Sequence, residues 1–208
     1  MKVRGPLVTL GAVAILGAGL WVANVSQQND PAPPTTPAAA ATASAVPPAP
    51  SAPTPPAADP FPAKADYVGE IPIKTGIITL EITVDGSRAV AYACDGNTLE
   101  VWLSGSAEGG VVKLASKDKT STLDGRHVGK TVVGSLRVGE KSWEFTTSAV
   151  EAPAGLYVAT DGSARNSWIV GADGTVTGVQ RRADGSTAPA PSDIPDGATR
   201  VSGALDVA

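Results

Sequence analysis

The chain has one cysteine, Cys94, and one histidine, His127, in 208 residues. A single cysteine forbids any intramolecular disulfide, and one His with one Cys cannot assemble a zinc cluster within the chain. Aromatic residues make up 4% of the sequence, which argues against a sugar-stacking cleft, although Trp102, Trp143 and Trp168 leave that reading open. No Gly-x-Ser-x-Gly elbow occurs, and no D-x-[DN]-x-[DN]-G calcium loop. A net charge of −4 argues against nucleic acid as the natural partner. Nothing in the composition calls for a cofactor.

What is present begins with Pro6 to Val25, PLVTLGAVAILGAGLWVANV, a run without an ionisable residue. At ~1.5 Å per residue it reaches the ~30 Å of a bilayer's hydrocarbon core. Lys2 and Arg4 precede it and no basic residue follows until Lys64, so the positive-inside bias keeps residues 1–5 in the cytoplasm and sends the rest outside. A cleaved secretory signal is the rival reading, but cutting after Ala23 places Trp21 at −3, and cutting after Val25 leaves a β-branched residue at −1. The sequence therefore favours an uncleaved, single-pass signal-anchor over 6–26. Ala14-x-x-x-Ala18 has the spacing of a helix-pairing motif, which an Ala/Gly-rich run reaches easily by chance.

Twelve of the 18 prolines fall between Pro31 and Pro62. The segment 27–64 is Ala, Pro, Thr and Ser with almost no charge, and too apolar-poor to fold, so it reads as a disordered spacer. In polyproline II geometry its reach is on the order of 100 Å. Its Thr and Ser residues beside prolines fit either an O-glycosylated stalk or an undecorated linker.

From Tyr67 the texture becomes short β-branched runs separated by turn signals. Ile78, Leu80, Ile82 and Val84 alternate with Ile77, Thr79, Glu81 and Thr83, and Asp85-Gly86, Asp95-Gly96, Gly109-Gly110, Gly139-Glu140 and Asp173-Gly174 mark hairpins. Sequential strands with short turns predict an all-β extracytoplasmic domain over 65–182, an antiparallel meander closing as a small barrel or a curled sheet or sandwich. A calycin-like up-and-down barrel fits this texture. Residues 183–208 read as a loose tail, with Thr199 to Val207 available as an edge strand.

The segments AVAYACDG (89–96), EVWLSG (100–105), PAGLY (153–157) and SWIVGADG (167–174), taken with the anchor and the Ala/Pro stalk, resemble uncharacterised single-pass, proline-rich envelope proteins of actinobacteria, mycobacteria included. The resemblance implies a cell-envelope address. It carries no catalytic or ligand-binding assignment to any residue.

The candidate chemistry is sparse. His127 lies in Asp124-Gly125-Arg126-His127-Val128-Gly129, a turn-like charged stretch, and reads as an exposed loop histidine rather than a catalytic base. Cys94 shares a strand face with Val90 and Tyr92 and reads as a small core residue, with a reactive thiol as the alternative. Trp102 sits on the polar face of its strand with Glu100 and Ser104, so it is either covered by the late hairpin around Trp168 or exposed as a binding anchor. Lys113, Lys117, Lys119, Arg126, Lys130, Arg137 and Lys141 outnumber Asp118, Asp124 and Glu140 between residues 113 and 141. Such a stretch suits anionic headgroups or wall phosphates, against the plainer reading of solvated hairpin tips. The expected function is a non-catalytic, membrane-tethered domain that binds a protein partner or envelope component through Trp102, Lys113, Lys117, Lys119, Arg126 and Lys130. The alternatives are a carrier of lipid or other apolar ligand inside a barrel and, last, an envelope hydrolase.

Overall fold

The computed structural model describes residues 57–201. The expected anchor, the cytoplasmic stub and most of the spacer lie outside them, and among the described residues no helix is long and apolar enough to cross a membrane. The described chain is all β. Its first eight strands are β1 (Lys64–Ile73), β2 (Gly76–Asp85), β3 (Arg88–Cys94), β4 (Glu100–Glu108), β5 (Val111–Ala115), β6 (Ser121–Val128), β7 (Thr131–Val138) and β8 (Lys141–Val150). Each pairs antiparallel with the next, and β8 returns to β1 through Asp66↔Val150, Tyr67↔Ala149 and Val68↔Ser148. The result is a closed up-and-down barrel, which leaves no free edge among its own strands.

Period-2 alternation decides what fills the barrel. Ile78, Leu80, Ile82 and Val84 of β2 point inward with Leu103, Leu123, Leu136 and Phe145 from the other strands, all buried. The small Ala89, Ala91 and Ala93 of β3 line the same interior and make room for the larger side chains opposite. Tight strand approach is bought by glycine in the walls. A Cβ at Gly134 would lie 2.0 Å from the Asp124 carbonyl oxygen, and one at Gly105 would lie 2.1 Å from that of Lys113.

Five further strands form a second sheet: β9 (Gly155–Asp161), β10 (Ala164–Val170), β11 (Val176–Arg181), β12 (Thr187–Pro189) and β13 (Thr199–Arg200). Their order is β12-β11-β10-β9-β13. This sheet packs on the outside of β1 to β4, which explains why β2 is buried on both faces: Thr79, Glu81 and Thr83 point out of the barrel yet are shielded. The wall made by β5 to β8 is left uncovered.

Three expectations are corrected. The stretch 124–128 is not a turn but part of β6, where Asp124 and Arg126 face solvent while Gly125 and His127 face inward. The spacer ends earlier than residue 64, because Asp59 donates its amide to the His127 carbonyl oxygen at 2.9 Å. The stretch from 183 onward is not loose throughout, since β12 and β13 complete the second sheet and Val201 is buried under it.

Candidate functional site

The seam between barrel and second sheet concentrates most of the buried polar chemistry. Its apolar centre is Tyr92, Cys94, Leu156, Ile169, Val179 and Val201, flanked by Val68, Trp102 and Val158. On one side Glu100 of β4, whose side chain is fully shielded, accepts from Arg181 Nε and, at 3.3 Å, from Arg165. Trp102 Nε1 donates to the same carboxylate at 3.1 Å. On the other side Arg200 of β13 donates to Asp66 of β1 at 2.7 Å. Two ionic clusters, one of two arginines on Glu100 and one of Arg200 with Asp66, therefore bolt the layers together on either side of an apolar patch. A groove of about 290 Å³ opens along the second of them, beside Lys64, Asp66, Thr83, Asp85, Glu151 and Arg200.

Glu81 occupies the seam without a cation. Its Oε1 accepts from the Thr83 hydroxyl at 2.7 Å and its Oε2 has no partner among the described residues. Burial pushes its carboxyl well above the ordinary carboxylate range, aided by Asp66 and opposed by the Thr83 hydrogen bond and by Arg200. Its surroundings therefore favour the neutral acid over the carboxylate. Burial likewise raises the Tyr92 phenol and pushes the Cys94 thiol up to about 12. A thiol so placed is an inert core residue.

His127 closes one end of the barrel. Its Nδ1 lies 3.1 Å from the Asp59 carbonyl oxygen and 3.0 Å from that of Pro60. Both partners only accept, which assigns a proton to Nδ1. Phe61 stacks on the imidazole at 4.9 Å and Tyr67 meets it edge-on at 5.6 Å. Main-chain carbonyls stand where a catalytic base would have its orienting carboxylate. The exposed loop histidine expected from the sequence is thus a buried strand residue.

The uncovered wall is a regular array. One cross-strand row runs Lys113, Asp124, Ser135, Glu144; the next toward the β5–β6 turn runs Ala115, Thr122, Arg137, Ser142; the next toward the other end runs Val111, Arg126, Val133, Thr146. Two grooves lie on it. The first, about 430 Å³, is lined by Lys119, Thr120, Thr122, Arg137 and Ser142, and the second, about 470 Å³, by Lys113, Arg126, Val133, Glu144 and Thr146. They share Asp124 and Ser135, so they adjoin. Gly125 and Gly134, paired across β6 and β7, also line the second, though a Cβ at Gly125 would point into the barrel toward Val112, Val132 and Phe145. The turn that carries Lys117 and Lys119 is held by Asp118, which accepts from the Ser116 and Thr120 hydroxyls and the Thr120 amide. Those donors hold its carboxyl below the usual range, the Ser116 hydroxyl most.

The sequence candidates therefore divide. Lys113, Lys119 and Arg126 converge on the two grooves; Lys117 sits on the adjacent turn without lining them, and Lys130 lies in the turn at the opposite end of the wall. Trp102 is elsewhere, half-buried in the seam, with its ring 4.6 Å from Tyr92 and the Arg165 guanidinium 5.1 Å from its centroid. The late hairpin does cover it, but through Arg165; Trp168 faces the other way and donates its indole N–H to the Pro191 carbonyl oxygen at 2.8 Å. Sequence reasoning counted Arg137 in the basic stretch but left it out of the binding set, and it missed Thr122 and Ser135; the two-residue spacing of Thr122 from Asp124 and of Ser135 from Arg137 was the available signal. Among the described residues no three His, Cys, Asp or Glu side chains converge as a metal centre requires. No protein-family model, curated protein or solved structure matches this chain.

Proposed function

We propose that this is a non-catalytic binding domain, tethered to the outer face of a membrane and presenting the β5–β8 wall to an anionic component of the envelope or an anionic patch on a partner protein. The observation that carries the reading is the convergence of Lys113, Lys119, Arg126 and Arg137 on two adjoining grooves of the one barrel wall that the second sheet leaves bare. Asp124 and Glu144 stand among them and leave the grooves net basic in a protein of net charge −4. Hydroxyls at Thr120, Thr122, Ser135, Ser142 and Thr146 supply neutral donors and acceptors between the charges.

The tether rests on the Pro6–Val25 run and the proline-rich spacer, whose length lets the domain work away from the bilayer. The carrier alternative requires apolar space inside the barrel, where the buried side chains of the core already point. The hydrolase alternative requires His127 as a base, and that imidazole is stacked under Phe61 with its Nδ1 engaged by two carbonyls. The test is co-sedimentation of a chain lacking residues 1–26, so that the proposed anchor cannot hold it in the pellet, with envelope fragments of its own host. Lys113→Glu/Lys119→Glu/Arg137→Glu should abolish retention that the wild type loses only as salt is raised. Equal retention of the two proteins would sink the reading.

A further inference from the structure

Residues 58–61 cross the end of the barrel as a bound peptide would. The Asp59 amide donates to the His127 carbonyl oxygen at 2.9 Å, and the Asp59 carboxylate accepts from the Gly129 amide at 2.8 Å. The His127 Nδ1–H is shared between the Asp59 and Pro60 carbonyl oxygens. Phe61 lies on the imidazole with 22° between the ring planes, and approaches Tyr67 edge-on at 6.1 Å. Beneath the segment, Gly110 has φ +75, and a Cβ there would sit 2.2 Å from the Asp59 oxygen and 2.9 Å from the Ala58 Cβ. The barrel is thus shaped to admit a chain at this place.

Each position is selected by a separate contact. At the first residue a carboxylate accepts from the Gly129 amide. At the second, no bond is asked of the backbone nitrogen, and proline holds the chain and its predecessor extended. At the third, a flat ring stacks on the His127 face. None of these contacts depends on covalent continuity with β1, which begins only after Pro62 and Ala63.

We propose that this barrel end is a peptide-recognition site for an extended Asp-Pro-aromatic segment, and that the chain's own Asp59–Phe61 is its resident ligand. Held two residues from β1, the resident segment has an effective concentration on the order of millimolar or above and excludes competitors. A segment of the same chemistry in trans enters when the resident one is withdrawn or altered. This site is separate from the basic wall and does not depend on it.

The chain has one histidine, so acylation of the imidazole by diethyl pyrocarbonate reports on this site alone. In the full-length chain His127 should react slowly, and in Asp59→Ala/Phe61→Ala about tenfold faster. A synthetic peptide of the sequence Ala-Ala-Asp-Pro-Phe-Pro-Ala should restore slow reaction to the variant and leave the wild type unchanged, whereas its scrambled version should do neither. If the double variant loses its strand signal in circular dichroism, Phe61→Leu replaces it with the same expectations. Slow reaction in the folded variant, or failure of the peptide to protect it, would overturn the proposal.

Discussion

Arg181 of the second sheet donates Nε to the carboxylate of Glu100 on the barrel, where the acid's side chain is completely shielded from solvent. With Arg165 and the Trp102 indole on the same carboxylate, this contact is the main polar fastening between the two layers. Removing only the acid leaves two guanidinium groups facing an apolar seam. Glu100→Ala should therefore cost about 3 kcal/mol, the lower end for breaking a buried pair, because both arginines keep partial access to water and can re-solvate. Urea denaturation monitored by tryptophan fluorescence measures it. A loss below about 1 kcal/mol would show that the pair behaves as a surface bridge.

Glu81 gives the protein a pH dependence of definite sign. Its folded-state pKa is raised above the unfolded value, so the folded chain binds the extra proton, and the stability associated with that proton is full below the unfolded value and lost as pH rises through the folded one. Above the ordinary glutamate value of 4.5, stability should fall with pH by up to about 1.4 kcal/mol per pH unit from this group alone. In Glu81→Gln that limb should flatten, as chemical denaturation at a series of pH values would record. Parallel curves for the two proteins would contradict the assignment of Glu81 as a buried neutral acid.

Much of the barrel was legible because its strands obey simple rules. In β2 the alternation of Ile78, Leu80, Ile82 and Val84 with polar residues is uninterrupted, and Asp85-Gly86 supplies the turn. The second half of β6 was not, since Gly125 and His127 are its inward residues and Arg126 its outward one, so no apolar period marks it. The seam was hidden for a different reason. Alternation predicts a face for Glu81 and Thr83, but only the second sheet, which no local signal docks there, decides that this face is dry. Glu100 meets Arg165 and Arg181 across separations of 65 and 81 residues, and Asp66 meets Arg200 across 134. Such pairings follow from topology, not from spacing. For the candidate site the composition identified the basic residues, while the cross-strand register decided which of them share a groove.

Two glycine substitutions should differ in cost. At Gly134 a methyl group would collide with the Asp124 carbonyl oxygen and with Gly125 Cα, and backbone cannot step aside as a side-chain end can. Gly134→Ala should lose at least about 3 kcal/mol, the upper range for overpacking. At Gly129 the φ is +63 but the surrounding space is open, so Gly129→Ala should cost only about 1 to 2 kcal/mol of backbone strain. Thermal melts of the two variants give the comparison, and a reversed order would refute the close approach of β6 and β7.

Cys94 should be silent until the protein unfolds. With its pKa pushed up to about 12 by burial the thiol is protonated at any ordinary pH, and it makes a weak donation to the Thr177 carbonyl oxygen at 3.9 Å. Iodoacetamide at about pH 8 should leave the native chain unmodified over hours and label it fully in denaturant. Rapid native labelling would mean that the seam opens on that timescale.

The central claim is that the β5–β8 wall is the contact surface. A photo-cross-linking residue at Ser135, which both grooves share, can be compared with one at Val176, exposed on the second sheet. In full-length chain on envelopes of its own host, irradiation should yield a cross-linked product from position 135 and none from position 176, with the product suppressed at high salt. A product from position 176 alone would place the contact on the second sheet and contradict the account.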